Sequence, residues 1–216
     1  GSSGRVAVDL AAKAAQAFPE AKDKIIGLIA GGDSAMVRAK EGCEDSENEG
    51  MTALDNYNAG PFDTVILISA SGSAFYNVGC GKAAADKGAK VLYFYNSKKI
   101  PFRTQQLFER KVNPVVDLCV DIGPQAIAGS TRLQGATLAE AALGALLVSA
   151  LHLNRKNVAM AENYRTELVA NMRKGIEIIR GVLNIIKGFV IQEHEIFSDP
   201  RSNFRRLRDE TAWGYV

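Results

Sequence analysis

Between residues 24 and 122 the chain alternates apolar runs of strand length with segments whose apolar residues recur at helical spacing. Four runs read as strands: Lys24–Ala30 (KIIGLIA), Thr64–Ser69 (TVILIS), Lys90–Tyr95 (KVLYFY) and Val115–Asp121 (VVDLCVD). Each is apolar almost without interruption, as a strand buried on both faces requires, and none shows the alternation of a half-wet sheet. Helices are expected over Arg5–Phe18, Ser34–Lys40, Ser46–Tyr57, Ala74–Lys87 and Thr104–Lys111. Strand and helix in this order predict βαβ units with right-handed crossovers, and so a parallel sheet with helices on both sides.

After residue 122 the pattern turns helical. Apolar residues keep helical spacing from Thr137 to Leu153 and again from about Val158 to Lys187, where Gly175, Gly181 and Gly188 are weak points. Pro200 is a stop signal before an arginine-rich amphipathic stretch. The expected organisation is an α/β domain over residues 1–153 and a helical extension over 154–216. The apolar tip Trp213-Gly214-Tyr215-Val216 reads as the middle of a protein, so the chain is expected to continue.

Composition narrows the partners. With 216 residues, 26 Lys and Arg against 24 Asp and Glu, the formal charge is +2, and the basic residues are dispersed apart from 201–208. Nothing in that distribution calls for a nucleic-acid backbone. Cys43, Cys80 and Cys119 lack C-x-x-C spacing and only two histidines exist, which disfavours a zinc site and suits a reducing, cytoplasmic setting. The most apolar stretch, Ala136–Leu153, carries Glu140 and His152 and falls short of the purity of a membrane span. No cofactor, metal or membrane contact is expected.

Three stretches join glycine to hydroxyl residues directly before a helix: Gly1-Ser2-Ser3-Gly4-Arg5, Ser69-Ala70-Ser71-Gly72-Ser73 and Gly129-Ser130-Thr131-Arg132. Glycine lets the backbone approach an anion, helix-start N–H groups point outward, and the hydroxyls add donors. Any one of the three could be ordinary capping. Their coincidence in one small domain points to a phosphorylated small molecule. None is G-x-x-x-x-G-K-[ST] or G-x-G-x-x-G, so the usual nucleotide folds are disfavoured.

The motifs GSSGR, IIGLIAGGDSAM, AKEGCED, VILISASGSAFYNVG and GSTRLQGAT, in this order and spacing, resemble the sugar isomerase (SIS) domain of the N-acetylmuramic acid 6-phosphate etherases and the glucokinase regulatory proteins. The resemblance covers roughly residues 1–150. It implies a flavodoxin-like three-layer sandwich with a central parallel sheet, whose first strand is expected upstream of Gly1. It also implies a phosphosugar held by Ser69, Ser71, Gly72, Ser73, Ser130 and Thr131, with Ser2, Ser3, Gly4 and Arg5 lining the same crevice and Gly32 in a further wall. SIS domains commonly pair, so a homodimer or larger homo-oligomer is implied, with a protein partner if the chain is regulator-like.

The etherases use two glutamates, one as acid and one as base, and such work needs carboxylates with separated pKa values. The resemblance puts one at Glu44, in EGCED, as the base. The other position, nine residues after Gly4, is Lys13, which is no carboxylic acid. The family's cysteine and two prolines beyond it are replaced by Ala14, Ala15 and Gln16, and its lysine after the third loop by Gln134. Three readings stay open: a phosphosugar-binding or sensing module, an active etherase-like lyase, and an aldose–ketose isomerase. The isomerase needs a base, and the two histidines offer little: His152 lies in an apolar helix, His194 in a charged stretch.

Overall fold

The computed structural model describes residues 1–123, 125, 130–163, 166, 167, 170, 173 and 174. Helix α1 (Ser2–Ala17) is followed by a one-turn helix α2 (Ser34–Val37), then α3 (Glu47–Asp55), β1 (Thr64–Ser69), α4 (Phe75–Asp86), β2 (Lys90–Tyr95), α5 (Phe102–Phe108), β3 (Val115–Cys119) and α6 (Gln134–Asn154). The strands form a parallel sheet in the order β1-β2-β3, with Thr64 opposite Lys90 and Val91 opposite Val115. Two compact units divide the chain inside α6, Gly1–Leu147 and Val148–Val216. Of the expected helix Val158–Lys187, residues 158–163 are helical, and most of its remainder lies outside the described residues, as does His194.

Pleat alternation sorts the strand side chains into two cores, which is the three-layer arrangement expected from the family. Leu67, Val91, Tyr93, Tyr95 and Val115 pack with Leu54, Cys80 and Leu107 of α3, α4 and α5. Ile66, Ile68, Leu92, Phe94 and Leu118 pack with Val6 and Leu10 of α1 and with Ala139 and Leu143 of α6. On the first face α3 and α4 touch backbone to backbone. A Cβ on Gly79 would stand 2.0 Å from the Glu47 carbonyl oxygen, and one on Gly50 equally close to that of Tyr76. The Cys80 thiol donates to the Gly50 carbonyl at 3.2 Å in the same crossing.

Three expectations need correction. Lys24–Ala30 forms no strand: turns stand at Lys24 and Ala30, residues 25–29 between them have no regular structure, and the stretch joins no ladder. Its backbone lies against α1, so close that a Cβ on Gly27 would come within 2.6 Å of the Ala7 carbonyl oxygen, and a cavity separates it from β1. The helix expected over Ser34–Lys40 stops after one turn, with Arg38 extended at φ −128° and ψ 117°. The Arg5 guanidinium binds the Met36 and Ala35 carbonyls at 2.5 and 3.1 Å, partners that a continuing helix would otherwise supply. Finally, α6 at 21 residues is long and apolar enough to cross a membrane by length and composition, contrary to the expectation for Ala136–Leu153. Ala139 and Leu143 nevertheless seat it on the sheet, and Lys13 bonds Glu140 at its middle, which is how a sheet-covering helix is built.

Candidate functional site

Parallel strands deliver their following loops to one end of a sheet, the end where open α/β folds bind ligands. Here β1 delivers Ser69-Ala70-Ser71-Gly72-Ser73 into the start of α4. Ser69 is buried and its Oγ accepts the Gly72 N–H at 3.1 Å, folding the loop back on its strand. Gly72 takes φ +70°, a left-handed conformation that glycine adopts without cost, and its carbonyl accepts the hydroxyl of the fully buried Thr104 at 2.8 Å. The turned loop leaves the Ser71 and Ser73 hydroxyls 2.6 Å apart and exposed.

Two more helix starts reach the same end of β1. Ser3, in the first turn of α1, accepts the Ala70 N–H on its Oγ at 3.3 Å. Gly135, in the first turn of α6, lies so near the loop that a Cβ there would be 3.4 Å from the Ala70 Cβ and 3.6 Å from the Thr131 Cβ. Neither α1 nor α4 has a side-chain cap, so their first-turn N–H groups are not taken by a capping side chain. A cavity of about 510 Å³ opens among these elements. Its lining includes Ser2, Ser3, Gly4, Ser69, Ser71, Ser73 and Thr131, and Glu44 and Asp45 approach it from the 3-10 turn Cys43–Asp45.

Converging helix starts and hydroxyls can hold a doubly charged oxyanion by N–H and O–H donors, with the helix dipoles supplying positive potential. The carboxylate of Glu44 borders that pocket and, among the described residues, joins no ion pair. The Cys80 thiol also lines the cavity, but burial pushes it up to about 12, so it is protonated at neutral pH and no nucleophile. Among the described residues no group of three or more His, Cys, Asp and Glu side chains is gathered as a metal site.

Five residues singled out from the sequence do not line this cavity: Arg5, Lys13, Gly32, Gly72 and Ser130. Arg5 is committed to the carbonyls of α2, and Gly72 acts through the loop's turn. Gly32 is exposed, with nothing within 4 Å of a Cβ placed on it. Lys13 lies on the outer side of α1, where its Nζ is 2.5 Å from both Asp9 Oδ2 and Glu140 Oε1. Those two carboxylates hold its ammonium well above the usual lysine range.

Two residues passed over in the sequence help to build the site. The Asn77 amide donates to the Ile68 carbonyl at 2.7 Å, tying α4 to the end of β1. Asn96, at 5% exposure, donates from its backbone to the Ala70 carbonyl at 3.0 Å and from its amide to the Val120 carbonyl at 3.2 Å, so one residue fastens the ends of all three strands. A polar residue closing the buried run KVLYFY was the available signal for Asn96. Asn77 had none, because its role exists only once α4 is docked.

Residues 1–84 match the family described as the glucokinase regulatory protein N-terminal SIS domain. Among curated proteins, the chain is 33% identical over 153 residues to an N-acetylmuramic acid 6-phosphate etherase of Synechococcus elongatus, covering 70% of this chain and 47% of that protein. The corresponding etherase of Bacillus licheniformis is 36% identical over 151 residues, again 70% of this chain and 47% of the relative. With that of Bacillus pumilus the match extends to 190 residues at 31% identity, 85% of this chain and 58% of the relative. The chain thus spans about half the length of the curated relatives it matches.

Proposed function

The chain belongs to the sugar isomerase (SIS) domain family, in the branch of the etherases and glucokinase regulatory proteins, and from that premise we propose that it binds a phosphosugar and does not run the etherase reaction. The observation that carries the binding half is the meeting of Ser2 and Ser3 on α1, Ser71 and Ser73 before α4, and Thr131 before α6 at one end of β1. The phosphate is held by the hydroxyls and helix N-termini, and the sugar extends toward Glu44 and Asp45. An amino-sugar or hexose phosphate suits this arrangement of donors and acceptors.

The observation against etherase chemistry is Lys13. The acid that protonates a departing lactyl group must come within hydrogen-bond reach of it. Lys13 occupies the position the resemblance assigns to that acid, and it faces Asp9 and Glu140 outside the cavity. Removing one of two cooperating acid–base groups abolishes most of a rate. One observation favours a second reading, a lyase: Glu44 stands at the cavity, where a base would abstract the proton beside the carbonyl. Incubation with N-acetylmuramic acid 6-phosphate separates the two. Binding without lactate release is expected, and release at an enzyme-like rate, lost in Glu44→Gln, establishes the lyase instead.

A further inference from the structure

On the α4 side of the sheet, Tyr93 of β2 is fully buried, at 0% exposure. The strand register decides what it faces. Leu67 stands opposite Tyr93 and Ser69 opposite Tyr95, so Ser69 and Tyr93 share one face of the pleat as diagonal neighbours on adjacent strands. That separation is within reach of a long side chain. The rings of Tyr95 and Phe108 pack against the Tyr93 ring, with centroids 5.6 and 6.0 Å away. Its hydroxyl comes to lie beside the side chains of Ser69 and Asn77, at the end of β1. Both of those residues line the cavity and Tyr93 does not, so it stands directly behind them.

The Tyr93 hydroxyl makes no hydrogen bond among the described residues. Burial pushes it up to about 12, so it is a neutral phenol at neutral pH. Its neighbours are engaged on their other sides: Ser69 Oγ accepts the Gly72 N–H at 3.1 Å, and the Asn77 amide donates to the Ile68 carbonyl at 2.7 Å. The Ser69 hydroxyl keeps a proton and a lone pair that the Gly72 bond does not use. A buried hydroxyl short of its partner destabilises a fold, and phenylalanine would fill the same space beside Tyr95 and Phe108 without that loss. Groups that lower stability in this way concentrate where function requires them.

We propose that Tyr93 is a positioning residue of the phosphate loop, whose hydroxyl forms its bond with Ser69 as the Ser71–Ser73 turn closes on a phosphate. This role rests on the phosphosugar reading above. The chain of contacts is short: Tyr93 meets Ser69, Ser69 holds the Gly72 N–H, and the Ser71 and Ser73 hydroxyls flank that glycine. Thr104 holds the same glycine by its carbonyl, so the turn pivots between two fixed points. A Ser69 oxygen drawn toward Tyr93 draws the Gly72 N–H with it and aims both flanking hydroxyls together. A bond made only in the closed loop favours the phosphate-bound state and so appears as affinity.

The test is Tyr93→Phe in the full chain, with glucose 6-phosphate, glucosamine 6-phosphate and inorganic phosphate as probes. Without a probe, Tm is expected to be unchanged or raised by up to about 4 °C. Affinity is expected to fall about five- to tenfold, by the same factor for inorganic phosphate as for a sugar phosphate that binds. In a Ser69→Ala background the same substitution should cause no further loss, because the bond it removes is already gone. A fall in Tm, up to loss of folding, marks a merely structural role and overturns the proposal. So does a loss confined to the sugar phosphates, or a full second loss on top of Ser69→Ala. A wild type that none of the three probes stabilises refutes the phosphosugar site itself and the role of Tyr93 with it. Unchanged affinity in Tyr93→Phe, beside a wild type that does bind, refutes the role of Tyr93 alone.

Discussion

On the α3–α4–α5 face, the sheet meets a core in which two helix backbones touch at Gly50 and Gly79 and the aromatic rings of Tyr93, Tyr95 and Phe108 lie against one another. On the α1–α6 face the buried set is smaller, Val6, Phe94, Ala139 and Leu143, and an exposed ion pair, Lys13 with Glu140, joins the two helices. Both helices of this second face bring their N-termini to the candidate site. The first face is built for rigidity. The second holds α1 and α6 by fewer contacts while presenting their free ends to a ligand, and local stability follows such differences in packing.

Substitutions on the two faces should reveal that contrast. The largest effect is expected for Gly79→Ala, whose Cβ has no room beside the Glu47 carbonyl. Separation of α3 from α4 costs about 3 kcal/mol or more, a fall in Tm of roughly 6–12 °C. On the other face Leu143→Ala leaves a cavity under α6 and costs about 2–4 kcal/mol in chemical denaturation, and it weakens ligand binding by loosening the start of α6. A ligand affinity unchanged by Leu143→Ala would show that α6 does not position the site.

The smallest effect belongs to Lys13→Gln. Its partners are partly exposed, with side chains 44% and 41% accessible, so the pair contributes less than about 1 kcal/mol and most of that vanishes in high salt. The sign with pH follows from both partners. Lys13 bonding holds the Asp9 carboxyl below its ordinary 3.8, so that contribution is present above about pH 4 and lost as pH falls through the lowered value. The raised Lys13 ammonium contributes fully below its ordinary 10.5 and loses its effect only above it. The difference between wild type and Lys13→Gln should thus be flat from about pH 5 to 10 and shrink in acid.

Much of the fold was legible because two of its strands are buried on both faces. Thr64–Ser69 and Lys90–Tyr95 occupy the residues their apolar runs mark, and β3 falls short only by Val120 and Asp121, of which Val120 still donates to the Tyr95 carbonyl at 2.8 Å. KIIGLIA is as apolar as they are, yet a ladder is a property of two chains, and no periodicity within one segment reports whether its neighbour is there. The site was legible where it rests on local chemistry, in serines and glycines that must precede a helix. It was illegible where it rests on docking. Arg5 reads as a crevice residue and is spent on α2, while Asn77 and Asn96 read as ordinary polar positions and fasten the strand ends.

The central claim is that Ser71 and Ser73, with Ser2, Ser3 and Thr131, form one phosphosugar site. Thermal unfolding with a panel of hexose and amino-sugar 6-phosphates tests it most directly, comparing wild type with the double variant Ser71→Ala/Ser73→Ala. At least one member, at a hundred times its Kd, should stabilise the wild type by about 2.7 kcal/mol while leaving the double variant, folded and of near-normal stability, unshifted. No shift with any phosphosugar, or the same shift in both proteins, contradicts the account.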